Sequence, residues 1–147
     1  MSDTKIMLLN GPNLNLLGER EVELYGNTSW REMEEDLKRR AGELGLEVEF
    51  HQSNHEGELI DWVQEARAGF RGLIINPGAL THYSYALRDA LSSLSAPVVE
   101  VHLTNIYARE EWRKVSVVSP VVLGVISGFG PRSYRLALEA LSAILEI

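Results

Sequence analysis

The sequence predicts an α/β domain in which a five-stranded parallel sheet carries helices on both faces. Three observations predict it. Short runs of strand length alternate five times with stretches whose apolar residues recur at spacings of three and four. Most of the strand-like runs are continuously apolar, the pattern of strands buried on both sides. Two of them end in Asn-Gly-Pro or Asn-Pro-Gly, sharp turns that redirect the chain.

Lys5 to Leu9 is the first such run and ends at Asn10. Residues 10 to 26 then form a connection far longer than the usual strand-to-helix join, and an excursion of that size is commonly a lid, a binding loop or disordered. Gly11, Pro12 and Gly18 supply turns, Leu14, Leu16 and Leu17 can anchor the base, and Asn13, Arg20 and Tyr25 carry polar chemistry. That composition is too specific for disorder, although a surface loop with a solvated charge run also fits it. Ser29 and Glu32 read as a capping box for a helix with Trp30, Met33, Leu37, Ala41 and Leu44 on one side, stopped by Gly45. Leu46 to His51 alternates apolar and polar, as a strand near a sheet edge does. A second helix is expected over Glu56 to Gly69, with Leu59, Ile60, Val63 and Ala66 buried. Gly72 to Ile75 is the third strand, followed by a helix from about Thr81 to Leu94. Pro97 introduces the fourth strand, Val98 to His102, and Thr104 to Lys114 is a polar stretch with room for a short helical turn. Val121 to Ile126 reads as the fifth strand, and Pro131 starts a last helix with its stripe at Tyr134, Leu138, Leu141 and Leu145.

The totals narrow the function. A chain of 147 residues is one domain of ordinary size. It has no cysteine, so thiolate metal sites and cysteine nucleophiles are excluded. The opening Met-Ser-Asp-Thr-Lys lacks a basic flank before a long apolar segment, and no run approaches the roughly 18 apolar residues of a membrane span. The expectation is a soluble, cytoplasmic protein without membrane or nucleic-acid partners, because a net charge of −7 opposes phosphate-neutralising contacts. Eleven of the 14 basic residues are arginine, whose planar fork suits a small oxyanion.

In a parallel α/β sheet, ligands bind beyond the carboxyl ends of the strands. The residues there are Asn10 to Tyr25, His51 to Asn54, Asn76 to His82, His102 to Arg113 and Ser127, a set rich in Asn, His and Arg. Glu100 and His102 are two apart and face the same way; a carboxylate beside an imidazole favours its protonated form and so suits a general acid near neutral pH. A structural ion pair at a buried strand end fits the same spacing equally well. His82 and Asp89, seven apart, are expected two turns apart on one helical face. Arg109 and Arg113 are spaced as a cationic face or as a solvated surface pair. His51, His55 and Glu56 superficially resemble metal ligands, but no third ligand is evident. The chain has no Gly-x-Ser-x-Gly elbow and no Walker-type loop. Lys114 is the one plausible Schiff-base lysine, and Asn10 and Asn76 replace the acids of a phosphoacceptor receiver.

Six separated motifs, in order, resemble the type II 3-dehydroquinate dehydratases. They are Asn10-Gly-Pro-Asn-Leu-Asn-Leu-Leu-Gly18, Arg20 to Gly26, Asn76-Pro-Gly-Ala with Thr81-His82, Leu87-Arg-Asp-Ala90, Glu100-Val-His-Leu-Thr-Asn105, and Ala108-Arg-Glu110 with Ser119-Pro120. The likeness runs from about Lys5 to Leu138. It implies a flavodoxin-like fold and the reversible dehydration of 3-dehydroquinate to 3-dehydroshikimate through an enolate, without metal or organic cofactor. That reaction serves aromatic biosynthesis by the shikimate pathway and also quinate breakdown.

Residue by residue, the resemblance makes Tyr25 the base and His102 the acid. Arg20 is the lid arginine that stabilises the Tyr25 phenolate, Asn13 steadies the enolate, and Glu100 orients His102. The lid spans about residues 19 to 26. The substrate carboxylate falls to Asn76, Leu103 and Thr104, and the ring hydroxyls to His82 and Arg113. Asp89 matches an aspartate that reaches a neighbouring subunit's site, in a family that forms trimers assembled into dodecamers. Val22, Tyr83, Thr104, Val117 and Val118 depart from the common pattern, and Tyr83 adds bulk beside His82. A flavodoxin-like ligand-binding module without catalysis is the alternative of another class; it calls for a Ser/Thr-rich phosphate loop where Asn10-Gly-Pro-Asn13 stands.

Overall fold

The computed structural model describes residues 4–19 and 28–145; Arg20, Val22 and Tyr25 lie outside the described residues. Five parallel strands, β1 (Lys5–Asn10), β2 (Glu47–Gln52), β3 (Gly72–Asn76), β4 (Val98–His102) and β5 (Gly124–Ser127), lie in the order β2-β1-β3-β4-β5. This is the flavodoxin-like order, and it reverses between β1 and β3. The alternating β2 is an edge strand, as its wetter pattern predicts, whereas β1, β3 and β4 are buried nearly throughout.

Alternate strand residues feed two cores. Ile6, Leu8, Ile74, Val99 and Val101 pack with Met33 and Leu37 of α1 (Trp30–Glu43) and with Tyr134, Leu138 and Leu141 of α4 (Arg132–Leu145). On the other face, Met7, Leu9, Leu73, Ile75 and Val98 pack with Leu59 and Val63 of α2 (Glu56–Glu65) and Leu87 and Leu91 of α3 (Tyr85–Ser92). Each of these large side chains contributes about 1.5–3 kcal/mol as an upper estimate. The β4 alternation puts Val99 and Val101 in the first core, so Glu100 and His102 point to the opposite face.

The helix starts follow their caps. Ser29 Oγ accepts the Glu32 N–H at 3.2 Å, the predicted N-terminus of α1. Three boundaries differ from expectation. The second helix stops at Glu65, because Ala66 to Gly69 close with tighter bonds (Arg67 to Gln64, Ala68 to Glu65) and Gly69 turns left-handed at φ +85°. The third helix begins at Tyr85, where Ser84 Oγ accepts the Leu87 N–H at 3.0 Å, and Gly78–His82 is a separate 3-10 turn. His82 and Asp89 therefore do not share one helix face. Finally, Val121 belongs to a 3-10 turn, Ser119–Val121, and sheet pairing starts only when the Leu123 N–H reaches the Val98 carbonyl at 2.8 Å. Among the described residues, no helix is long and apolar enough to cross a membrane.

Candidate active site

The site lies at the β1/β3 switch point, where two loops lock backbone to backbone. The Gly11 N–H donates to the Asn76 carbonyl at 2.8 Å, and a Cβ on Gly11 would stand 2.5 Å from the Pro77 carbonyl oxygen. A Cβ on Gly78, at φ +61°, would stand 3.1 Å from the Pro12 carbonyl oxygen, a tight fit in a conformation that favours glycine. Only residues without a Cβ allow this approach. Asn13 is the one described non-glycine residue with positive φ, 71°, and its N–H donates to Asn54 Oδ1 at 2.9 Å. Asparagine tolerates that conformation better than most residues.

These loops and the ends of β3 and β4 enclose a cavity of about 110 Å³. Asn13, Asn76, His82, His102, Leu103, Thr104 and Arg113 all line it, together with Arg109. A larger groove of about 870 Å³ between α1 and the start of α4 holds no imidazole. The convergent donors and titratable groups make the smaller cavity the candidate chemical site.

His102 and Glu100 meet as predicted. His102 Nε2 lies 2.5 Å from Glu100 Oε2, which leaves Nδ1 as the ring nitrogen for the cavity that His102 lines. Glu100 is fully buried, and Thr81 Oγ1 and Ser119 Oγ donate to it at 2.5 and 2.6 Å. Burial alone would raise the Glu100 carboxyl; the hydrogen bond and charge of His102, then the Ser119 and Thr81 hydroxyls, outweigh it and hold the carboxyl below its ordinary value.

His82 Nδ1 donates to the Val115 carbonyl at 2.6 Å, and its ring lies nearly parallel to that of His102 with centroids 6.4 Å apart. Burial pushes the His82 pKa down, and the neighbouring His102 and Arg113 charges add to it against the Val115 bond. His82 is therefore a neutral ring whose Nε2 can accept a hydrogen bond from a hydroxyl. Arg113 Nε bonds Glu110 at 3.1 Å and its guanidinium lies 4.1 Å from the Trp112 ring centroid. Arg109 donates to Thr104 Oγ1 at 3.3 Å. Both arginines are largely covered and face the cavity, so they are not a solvated surface pair.

Asn76 is braced from below. Its Oδ1 accepts the Gly78 N–H at 3.1 Å and its Nδ2 donates to the Tyr134 hydroxyl at 2.9 Å, leaving one Nδ2 hydrogen for a ligand. Tyr134 in turn donates to Asn10 Oδ1 at 2.5 Å. Burial raises the Tyr134 pKa, so this tyrosine is a fixed neutral phenol.

Other expected residues stand apart. Asp89 is exposed and lines a separate depression between α2 and α3 with Arg67 and Gln64. Tyr83 is 61% exposed and stands outside the cavity lining among the described residues. His51 pairs with Glu49 at 2.8 Å and stacks on Trp62, and the described residues contain no metal-like cluster of His and acidic side chains. Lys114 pairs with Glu111 at 2.9 Å. Sequence reasoning missed Ser116, Tyr134 and the buried Asn10–Tyr134 hydrogen bond. Thr81 and Ser119 sat within recognised motifs, which was the available signal; Tyr134 read simply as core.

The profile described as dehydroquinase class II matches residues 4–142. The chain is 57% identical over 143 residues to a 3-dehydroquinate dehydratase of Thermus thermophilus, covering 97% of this chain and 96% of the relative. Its fold is similar to the crystal structures of type II dehydroquinases from Butyrivibrio crossotus (TM-score 0.92, 48% identity, covering 94% of this chain and 97% of that one) and Propionibacterium acnes (TM-score 0.93, 45% identity, 97% and 98%).

Proposed function

The chain belongs to the class II dehydroquinase family, and from that premise we propose that it is a hydro-lyase converting 3-dehydroquinate reversibly to 3-dehydroshikimate. The observation that carries the reading is the His102–Glu100 pair: an imidazole fastened through Nε2 to a buried carboxylate, its ring lining a cavity shared with amides and guanidinium groups.

Removal of water from a β-hydroxy ketone needs a base, a stabiliser of the enolate oxygen and an acid. Tyr25, as a phenolate, takes the proton beside the ketone, and the C–H electron pair becomes the enolate. Asn13 steadies the enolate oxygen. As the enolate collapses, the C–O bond to the leaving hydroxyl breaks and His102 supplies that oxygen with a proton from Nδ1, releasing water and the conjugated product. The phenol then loses its proton to solvent and His102 regains one. Glu100 keeps the imidazole oriented through its Nε2. The free Nδ2 hydrogen of Asn76, with Leu103 and Thr104 at the end of β4, receives the substrate carboxylate, and His82 Nε2 and Arg113 receive the ring hydroxyls.

Arg20 and Tyr25 enter by their positions in the family motif. A tyrosine with a pKa of about 10 is a weak base at neutral pH, and a guanidinium five residues away on one loop is a direct means of stabilising its phenolate. Segment 19 to 26 is proposed as the lid that brings these groups to the substrate and excludes water. Asp89, turned away from its own chain's cavity, is proposed to serve a neighbouring subunit within a dodecamer built from trimers. A cytoplasmic place in aromatic biosynthesis or in quinate breakdown belongs to the same proposal.

The test is the ultraviolet absorbance of the conjugated product when purified protein meets 3-dehydroquinate with a metal chelator present. A rise is expected, and it should be abolished by Tyr25→Phe while substrate binding and circular dichroism persist. Near-normal turnover in that variant would remove Tyr25 as the base.

A further inference from the structure

Three hydroxyls around Glu100 have no part in the mechanism above. Thr81 Oγ1 lies 2.5 Å from Glu100 Oε2, Ser119 Oγ lies 2.6 Å from Oε1, and Ser116 Oγ lies 3.2 and 3.3 Å from the two oxygens. Ser116 Oγ also accepts the N–H groups of Val118 at 3.2 Å and Ser119 at 3.0 Å. With its acceptor sites occupied, its single proton points to the carboxylate or to Thr81 Oγ1, 3.2 Å away, which itself donates to Glu100. These hydroxyls come from two separate segments, the 3-10 turn after β3 and the loop before β5.

The remaining surroundings are apolar side chains, two imidazoles and a guanidinium. The sheet neighbours of Glu100 are Ile75 on β3 and Val125 on β5. The titratable groups facing it are His102 on its own strand and, behind that ring, His82 from the turn after β3 with Arg113 beside it. The carboxylate therefore meets donors on every polar side.

A carboxylate 2.5 Å from an imidazolium competes with it for the proton. Were the proton to pass from Nε2 to Glu100, the ring would become neutral and a weaker acid toward the departing hydroxyl. Every hydroxyl that donates to the carboxylate makes it less basic and opposes that transfer. We propose that Thr81, Ser116 and Ser119 form a hydroxyl cage that keeps Glu100 a pure acceptor, so that the acid's proton stays on His102 and is delivered from Nδ1. They are positioning residues, and the proposal rests on the reading of His102 as the acid.

The test combines infrared titration with kinetics on the full, assembled protein carrying 13C-labelled glutamate. The protonated-carboxyl band of Glu100 is assigned by its absence in Glu100→Gln. Ser119→Ala and Thr81→Val should each raise the Glu100 midpoint by about one pH unit, and lower kcat about tenfold with KM changed less than twofold. Thr81→Ser, which keeps the hydroxyl, should restore both, and Ser119→Cys, a weaker donor, should fall between. Unchanged Glu100 midpoints in folded Ser119→Ala and Thr81→Val would overturn the cage, as would an unchanged midpoint in Ser119→Cys if the alanine variant does not fold. The band is read without turnover, so a wild-type chain inactive on 3-dehydroquinate would refute the acid assignment while the Glu100 midpoints still decide on the cage.

Discussion

Tyr134→Phe removes one oxygen atom from the centre of the molecule and should destabilise it far more than a typical surface change. The ring is fully buried and packs edge-on against Trp30 with centroids 5.9 Å apart, so phenylalanine keeps the packing and leaves no large cavity. What disappears is the hydroxyl joining Asn10 Oδ1, at 2.5 Å, to Asn76 Nδ2, at 2.9 Å. Asn10 is itself buried and its Nδ2 lacks a partner among the described residues, so the change leaves a second polar atom of Asn10 without one there. An unsatisfied buried polar group costs about 1–3 kcal/mol, and with two groups affected the loss should be roughly 2–4 kcal/mol. For a chain of 147 residues that is a fall in Tm of roughly 5–15 °C. Urea unfolding at fixed protomer concentration measures it, with m unchanged if the unfolded state is unaffected. In an Asn10→Ala background the same substitution should cost about 1 kcal/mol less, because one orphaned partner is already gone. Release of the Asn76 amide should also raise KM for the substrate more than it lowers kcat. A loss below about 0.5 kcal/mol in the single variant would refute the assignment of this hydroxyl as a structural link.

The loop junction and the second histidine are also open to test. Gly11→Ala would drive a Cβ to 2.5 Å from the Pro77 carbonyl, so the loops must part; a loss of about 1–3 kcal/mol in thermal unfolding, with reduced turnover, is expected, and wild-type values would mean the junction yields freely. Burial holds the His82 pKa below its ordinary value, so the folded state binds fewer protons than the unfolded state over that interval. Its contribution to stability is therefore fully present above about pH 6.5 and is lost as pH falls through the lower folded value. His82→Asn should flatten the urea midpoint over the window just below pH 6.5, and an unaltered slope there would contradict the assignment.

What was legible in the sequence was whatever local periodicity or spacing encodes. Continuous apolar runs placed β1, β3 and β4, and the two-residue spacing of Glu100 and His102 put them side by side because strand geometry alone decides it. Spacing failed where a turn intervened: His82 and Asp89 were read along one helix, but Ser84 captures the Leu87 N–H and starts the helix afresh. Val121 and Val122 have strand-like side chains, yet Pro120 sits in a 3-10 turn and the two valines pack against the α2/α3 core without pairing. Partners distant in sequence left no local trace. Tyr134 is 124 residues from Asn10, and as one member of an apolar helical stripe it gave no hint that its hydroxyl ties two strand ends together.

The same distinction bears on why the Glu100–His102 pair stands on an interior strand. A carboxylate at the fully buried Glu100 is costly by itself, since desolvation disfavours its charge, and β3 and β5 flank it with Ile75 and Val125. That setting is also what makes each added hydrogen bond effective, because little water competes for the carboxylate. The sheet fixes the Glu100–His102 direction, the turn after β3 brings Thr81, and the loop before β5 brings Ser116 and Ser119. A loop-borne carboxylate would be cheaper to ionise, but its solvated charge would orient the imidazole less firmly. The stability given up at one strand end is offset by donors from two other segments, and the outcome is an imidazole held in a defined position at the cavity.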